Sequence, residues 1–194
     1  MKRRISWPLI LGSCLILLSL CFMLVYHAQL RSGTRNCQAV VKEMQQLLPQ
    51  RTPGIAGAYA DVAMPSLEID GEDYVALLEI PSHGITLPVA SQWDNTALAR
   101  SPARFSGSAY DKSLVVGGVD DPAQFGFSDE IEHNAVVTLT DMTGAQFSYT
   151  VSRIERAEHA DKQWLQKDGF DLTLFCRNTY SMEYIAVRCV LASS

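Results

Sequence analysis

Five cysteines are the residues of this 194-residue chain that could most readily do covalent chemistry. They are Cys14, Cys21, Cys37, Cys176 and Cys189. Their spacings contain no C-x-x-C pair and no zinc-binding pattern, and their odd number predicts at least one free thiol. A thiol acts as a nucleophile only when its sulfur is accessible and its pKa is low enough. The chemistry available to the chain therefore depends on where each cysteine lies.

Cys176 is the strongest candidate for a reactive thiol. It ends an apolar run, residues 171–176, whose composition is typical of a β-strand. Arg177 follows directly, and a neighbouring cation could lower the pKa of the thiol. The alternative is that Cys176 is a small core residue, because buried cysteines are usually inert.

Few other groups could transfer protons or bind ions. Three histidines lie beyond the N-terminal segment, namely His83, His133 and His159. His159 is the best candidate for a catalytic role because it lies in a loop after a long predicted strand, although a solvated loop histidine is the simpler interpretation. The acidic pairs at 120–121 and 129–130 are typical of solvated turns, and no ligand spacing predicts a metal site. We expect neither a metal nor a cofactor.

The charge distribution predicts a membrane protein and excludes a nucleic-acid partner. The net charge is −5, and the chain has no basic stripe beyond its first residues. Residues 2–4 are basic, and residues 5–26 carry no charge over 22 positions. At about 1.5 Å per residue, such a helix spans a hydrocarbon core of about 30 Å. We therefore expect one transmembrane signal-anchor in the cell membrane, with the N-terminus cytoplasmic and the C-terminal bulk extracellular.

Two alternatives to a retained anchor follow from the same segment. A cleaved signal peptide is disfavoured because the apolar run is longer than usual and no A-x-A site follows it. A lipoprotein box at residues 11–14 is disfavoured because too little apolar sequence precedes it and too much follows.

Beyond the anchor, the pattern changes from helix to short strands. Residues 36–48 have apolar positions on one helical face, and Pro49 and Pro53 should end that helix. Residues 141–144 have the composition of a hairpin turn. The predicted strands are 74–80, 86–90, 113–117, 135–140, 146–157, 171–176 and 184–191. We therefore divide the chain into an anchor (1–27), a juxtamembrane helix and linker (28–73) and a mostly β domain (74–194), either a small closed barrel or a sandwich.

Several segments of this domain resemble, in the right order, the sortase family of cysteine transpeptidases. LEIPSHGITLPV at 78–89 is similar to the family's opening hairpin, L-x-I-P followed by L-P-V. LVVGG at 114–118 resembles the strand written v-v-l-a-G-H, and LTLFC at 172–176 resembles the T-L-x-T-C strand. The resemblance covers residues 74–191, and the preceding helix is similar to that of class B sortases. It implies a sortase-like closed β-barrel of about seven or eight strands.

The resemblance also assigns roles, and two of the three catalytic groups are replaced. A sortase forms a thioester with its cysteine, protonates the leaving amine with a histidine and stabilises the oxyanion with an arginine. Cys176 corresponds to the nucleophile, although Phe175 stands where the family has threonine. Val119 stands at the histidine position. Glu183, or Tyr184 with a one-residue slip, stands at the arginine position.

Three functions remain open at this stage. The first is an active cysteine transpeptidase that anchors surface proteins or pilins through a Cys176 thioester. The second, which the degenerate positions favour, is a sortase-fold pseudoenzyme that binds a sorting-signal peptide such as LPxTG, a pilin or another sortase. The third is a structural envelope protein without a peptide groove.

The alignment makes four geometric predictions. Val119, Cys176 and Glu183 should cluster at one end of the barrel, and Cys176 should be partly accessible. Cys176 should lie opposite Glu183 on antiparallel strands. Cys189 would then lie about 20 Å from Cys176, too far for a disulfide.

Overall fold

The computed structural model describes residues 7–56 and 62–192. Its first element is a single α-helix, α1, which runs without a break over the 41 residues Trp7–Leu47. The predicted juxtamembrane helix is therefore the last part of a longer helix. Its end agrees with the sequence, because Pro49 cannot continue the hydrogen-bond pattern and Leu48 N makes the final bond, to Met44 O at 2.8 Å.

No helix in the described part of the chain combines the length and apolarity that a membrane crossing requires. The spanning helix expected for residues 5–26 stays a prediction.

After α1 the chain is almost entirely β-structure. Two four-residue helices, α2 (Asn95–Leu98) and α3 (Lys162–Leu165), and a 3₁₀ turn at Pro81–His83 interrupt it. The ten strands are β1 (Thr52–Pro53), β2 (Leu67–Ile69), β3 (Glu72–Ile80), β4 (Ile85–Ala90), β5 (Ala103–Ser106), β6 (Leu114–Gly117), β7 (Val136–Asp141), β8 (Ala145–Ala157), β9 (Leu172–Arg177) and β10 (Tyr184–Leu191).

Eight of these strands close into a barrel. Their order is β8-β10-β9-β6-β5-β4-β3, and β7 closes the ring by pairing with both β3 and β8. The prediction of a closed barrel of about seven or eight strands is therefore confirmed. β1 and β2 lie outside the ring, beside β8 and β3.

Alternating side chains of the barrel strands fill its interior with an apolar core. Leu78, Val116, Leu139, Phe147 and Leu174 belong to this core, and each is at most 2% exposed. A second cluster forms outside the barrel, where Met44 of α1 packs in a group that includes Leu77 and Ala90. The end of α1 is therefore part of the folded domain.

Candidate functional site

The sheet topology brings the ends of three strands to one place. β6 and β9 are parallel neighbours, with Gly117 paired to Phe175, so their carboxyl ends meet at the same edge of the barrel. β10 runs antiparallel to β9 and starts at that edge, where Tyr184 pairs with Arg177. Val119, Cys176 and Glu183 therefore lie at one end of the barrel, as predicted from the sequence.

Cys176 points into the barrel. Its side chain belongs to the interior core, and the residue is only 1% exposed. The sulfur lies 3.4 Å from Ser128 Oγ and 3.9 Å from Phe125 O, both in the loop that follows β6. The expectation that Cys176 is partly accessible is wrong, because the strand's alternation places residue 176 on the inner face.

The surroundings of the thiol also oppose ionisation. Burial raises the pKa of Cys176 to about 11, and the nearby negative charges of Asp120 and Asp129 add to this rise. The hydrogen bond to Ser128 lowers the pKa but does not compensate. Arg177, predicted to lower this pKa, has no such effect because its side chain leaves the opposite face of β9. At neutral pH only about one thiol in ten thousand would be ionised.

Arg177 occupies the outward-facing position that the sequence assigned to the cysteine. Its side chain is exposed, its Nε donates to Met182 O at 3.0 Å, and its guanidinium carbon lies 5.6 Å from the centre of the Tyr184 ring. We call the surface of β6, β9 and β10 that points away from the barrel interior the outer face. Arg177 and Tyr184 form its end nearest the predicted site.

Val119 follows β6 directly and is 40% exposed. The backbone of the preceding Gly118 donates to Phe175 O at 2.9 Å, which joins this segment to β9. One residue further on, Asp120 Oδ2 accepts the backbone N–H of Thr179 at 2.7 Å, so the loop after β6 is also bound to the loop after β9. The backbone on both sides of Val119 is thus hydrogen-bonded to β9 or to the loop after it, but valine offers no proton to transfer.

Glu183 lies just before β10 and is half-buried. Its carbonyl accepts the backbone N–H of Asn178 at 2.8 Å, which closes the turn between β9 and β10. The residue opposite Cys176 is Ile185 and not Glu183, so the predicted register was wrong by two residues. Neither Glu183 nor Tyr184 supplies a cation for an oxyanion.

His159 lies in the loop between β8 and α3 with an exposed side chain. The next residue, Ala160, packs against the outer face, so this loop does border that surface. Within the described residues, the His159 ring makes no hydrogen bond. The structure therefore brings the loop near the predicted site without giving its histidine a defined role.

The register also fixes the distance between two buried cysteines. Cys189 pairs with Leu172, four residues before Cys176 on the neighbouring strand. At about 3.3 Å per residue the two are separated by roughly 13 Å, less than predicted but still beyond disulfide reach. Both cysteines are free.

A buried arginine holds the loop between β8 and β9 on the outer face, and sequence analysis did not identify it. Arg188 is fully buried; its Nη1 donates to Leu165 O at 2.8 Å and to Thr173 Oγ1 at 3.1 Å, and its Nη2 donates to Trp164 O. Its Nε donates to Glu155 Oε2 at 3.2 Å. Burial alone would raise the pKa of Glu155, but Lys167 and Arg188 outweigh it and leave that pKa lowered.

Sequence analysis also missed Trp93, which lies on the outer face over Gly117. Its ring contacts Phe105 and Phe175. An isolated tryptophan in a predicted loop gives no sign of which surface it covers. The glycine at 117, inside a run of apolar strand residues, was the available signal, since glycine within a strand often marks the close approach of another group.

No protein-family model and no curated protein matches the chain. Solved structures do match it. Sortase A from Corynebacterium diphtheriae is 18% identical, with a TM-score of 0.56 over 87% of this chain and 84% of that one. Streptococcus pneumoniae sortase C is 16% identical, with a TM-score of 0.56 over 86% and 90%. A Clostridium perfringens sortase D5 transpeptidase is 18% identical, with a TM-score of 0.55 over 62% and 80%.

The chain has the sortase fold. These sortases belong to classes A, C and D, so the predicted likeness to class B stays a prediction. Within this fold, the side chain of Cys176 points into the barrel.

Proposed function

We propose that this protein is a membrane-anchored, extracytoplasmic sortase-fold pseudoenzyme that binds sorting-signal peptides of surface proteins or pilins without cleaving them. The observation that carries this proposal is the inward orientation of Cys176. A thiol that is 1% exposed, with a pKa of about 11, cannot reach a peptide carbonyl on the barrel's outside and is almost never ionised there.

The orientation of Arg177 supports a revised alignment of the nucleophile strand. The family pattern T-L-x-T-C fits Thr173 to Arg177 when it is moved by one residue, and both the threonine and the leucine then match. Cys176 takes the place of the family's second threonine, and Arg177 takes the place of the nucleophile. In this alignment Val119, Arg177 and Tyr184 or Glu183 replace the histidine, cysteine and arginine, so no catalytic group remains.

The retained fold and outer face support a binding role. Arg177 and Tyr184 lie exposed or half-exposed beside an aromatic surface that includes Phe175 and Trp93. Such a surface can bind a peptide through apolar contact without any reacting group. The structure of Streptococcus pneumoniae sortase C is described as giving insight into pilin substrate specificity. As part of the proposal, we extend pilins as a class of partner to this chain.

The proposed location rests on the N-terminal sequence. The basic residues 2–4 and the charge-free residues 5–26 favour a single-pass anchor with an extracellular barrel in the cell membrane of a Gram-positive-type bacterium. A membrane-impermeant protease added to intact protoplasts should digest the barrel. Complete protection of the barrel would contradict this orientation.

The function is tested with the full-length protein in detergent and an LPxTG-type peptide. We expect saturable binding by fluorescence anisotropy, no cleavage of the peptide and no thioester adduct by intact-protein mass spectrometry. Turnover that Cys176→Ala abolishes would establish the alternative, an active transpeptidase acting through a Cys176 thioester. Absence of both binding and turnover would contradict the peptide-binding role and favour a structural envelope protein.

A further inference from the structure

Trp93 covers the outer face close to the ends of β6 and β9. Its ring centre lies 5.3 Å from that of Phe105, edge-on, and 5.4 Å from that of Phe175. Phe105 and Phe175 are themselves 5.6 Å apart and edge-to-face. Although three aromatic rings meet here, Trp93 remains 38% exposed, so its indole forms the outermost layer of the cluster.

Gly117 is the reason that the indole can lie so close to the sheet. A Cβ atom built on Gly117 would lie 2.3 Å from Trp93 Cζ3 and 2.7 Å from Phe175 Cε1. The indole therefore occupies the space that a side chain at position 117 would fill. Gly118, one residue on, has the opposite orientation, because a Cβ there would meet Phe125 Cδ2 at 2.9 Å in the barrel interior.

The segment that carries Trp93 is fixed at both ends and free between them. Ser91 N donates to Asp73 O at 2.7 Å, and Asp94 Oδ1 caps α2 by accepting from Thr96 N at 2.7 Å and Ala97 N at 2.9 Å. Trp93 and its neighbour Gln92 are exposed between these anchor points. Rotation at these two residues can move the indole off the sheet while both anchors stay in place.

We propose that Trp93 is an internal occupant of the peptide-binding face, and that the ligand is a peptide whose aromatic side chain takes the place of the indole. This inference rests on the proposed function. Once Trp93 leaves, the exposed surface consists of Phe105, Phe175 and the bare backbone of Gly117. An aromatic ring of the ligand can restore both the edge-on contact with Phe105 and the tilted contact with Phe175, which a leucine or proline side chain cannot do.

The internal occupant is tested first without ligand. Trp7→Phe with Trp164→Phe leaves Trp93 as the one tryptophan, since the chain has three. Adding Gly117→Ala should move the emission of Trp93 to longer wavelength and increase its quenching by acrylamide, because the new methyl group displaces the indole. Gly118→Ala, the matched control, should leave the Trp93 emission unchanged. Unchanged emission in folded Gly117→Ala protein would overturn the assignment of Trp93.

The ligand is tested with two peptides, an LPxTG-type peptide and the same peptide with tryptophan in place of leucine. In the full-length protein, Trp93→Ala should bind the tryptophan peptide about tenfold more tightly than the unmodified chain does, because no indole has to be displaced. The gain for the leucine peptide should be smaller. Tyr180→Ala, which removes a 94% exposed aromatic ring at the same end of the barrel, should leave both affinities unchanged.

The outcomes separate the two proposals. If Trp93→Ala binds the tryptophan peptide no more tightly than the unmodified chain does, Trp93 either takes no part in binding or contacts the bound peptide directly. Either result would overturn the proposal that the peptide displaces Trp93. An equal gain for both peptides would overturn the aromatic preference. If neither peptide binds any variant, the proposed function fails together with the ligand assignment, while the emission experiment still decides whether Trp93 fills the Gly117 position.

Discussion

The two faces of β9 differ in what their side chains can do. On the inner face, Leu174 and Cys176 lie in a closed apolar core. On the outer face, Phe175 lies beneath Trp93, and Arg177 is exposed to solvent. Adjacent residues of one strand thus have opposite access to a partner, because successive side chains of a strand point to opposite sides. Arg177 is therefore accessible to a partner, whereas Cys176, its neighbour on the same strand, is not.

The faces also differ in how they are covered. The interior is filled mainly by the apolar side chains of the strands themselves, whereas the outer face carries Trp93 from one loop and the α3 segment from another. The α3 segment is held in place by hydrogen bonds from Arg188, which is fully buried beneath it. Four experiments test this difference between the two faces.

Removing Arg188 should have the largest effect. Arg188→Met keeps the volume but removes the donor to Glu155 Oε2 and to the carbonyls of Trp164 and Leu165, while Glu155 keeps its bond from Lys167. We expect a loss of about 3–5 kcal/mol in the free energy of unfolding, measured by urea denaturation. Arg153→Met is the matched control, because Arg153 also pairs with Glu155, at 3.6 Å, but its side chain is 61% exposed. We expect Arg153→Met to lower the free energy of unfolding by less than about 1 kcal/mol. Similar losses in both variants would show that burial of Arg188 does not hold the outer cover.

The reactivity of neighbouring thiols tests the two faces directly. A cysteine introduced by Arg177→Cys should react with iodoacetamide at pH 8 more than about a hundredfold faster than the native Cys176, because its sulfur is outside and its pKa is not raised by burial. Peptide-level mass spectrometry separates the two sites, with Cys176→Ala as the control for assignment. Comparable rates in the folded protein would mean that Cys176 reaches the surface, and the active transpeptidase would return as the better function.

The buried thiol should also make stability depend on alkaline pH. Burial raises the pKa of Cys176 from 9.0 to about 11, so the unfolded chain releases this proton near pH 9 while the folded protein keeps it. Its contribution is fully present below pH 9 and is lost as the pH rises through 11, by up to about 2–3 kcal/mol. Urea midpoints from pH 8 to 11 should fall less steeply for Cys176→Ala. Identical slopes would contradict the burial of this thiol.

The smallest effect concerns an interior hydroxyl. Tyr149 is 1% exposed, and its hydroxyl has no hydrogen-bond partner in the described part of the chain. Tyr149→Phe should be neutral or stabilising by up to about 1 kcal/mol in thermal unfolding. Tyr110→Phe is the matched comparison, because the Tyr110 hydroxyl donates to Asp141 Oδ2 at 2.5 Å; it should cost about 1.5–3 kcal/mol. A clear loss in Tyr149→Phe would reveal a polar partner inside the barrel.

The barrel could be predicted from the sequence because its main strands are locally encoded. Seven strands have ends within two residues of those expected from composition and alternation. β5 was missed because Ala103–Ser106 contains an arginine and a serine and meets β4 through a single residue pair. β1 and β2 are only two and three residues long, too short for a periodic signal.

The candidate site could be predicted only in part. Its position at one barrel end follows from parallel β6 and β9, which the family resemblance implied. The inward orientation of Cys176 could not be predicted, because the end of a strand can place its last residue on either face and the sequence did not fix which face residue 176 occupies. Arg188 and Trp93 act through contacts with residues distant in sequence, such as Leu165 and Phe175, and no local pattern reports such contacts.

The continuity of α1 has a mechanical consequence. A helix of 41 residues is about 60 Å long, and its final turns carry Val40 and Met44 into the packed cluster beside β3 and β4. A flexible linker would let the barrel rotate independently of the helix. A continuous helix that packs against the barrel instead couples the orientation of one to that of the other. The outer face with Trp93 therefore keeps a fixed orientation about the helix axis. A neighbouring protein aligned along the helix would always meet the same side of the barrel.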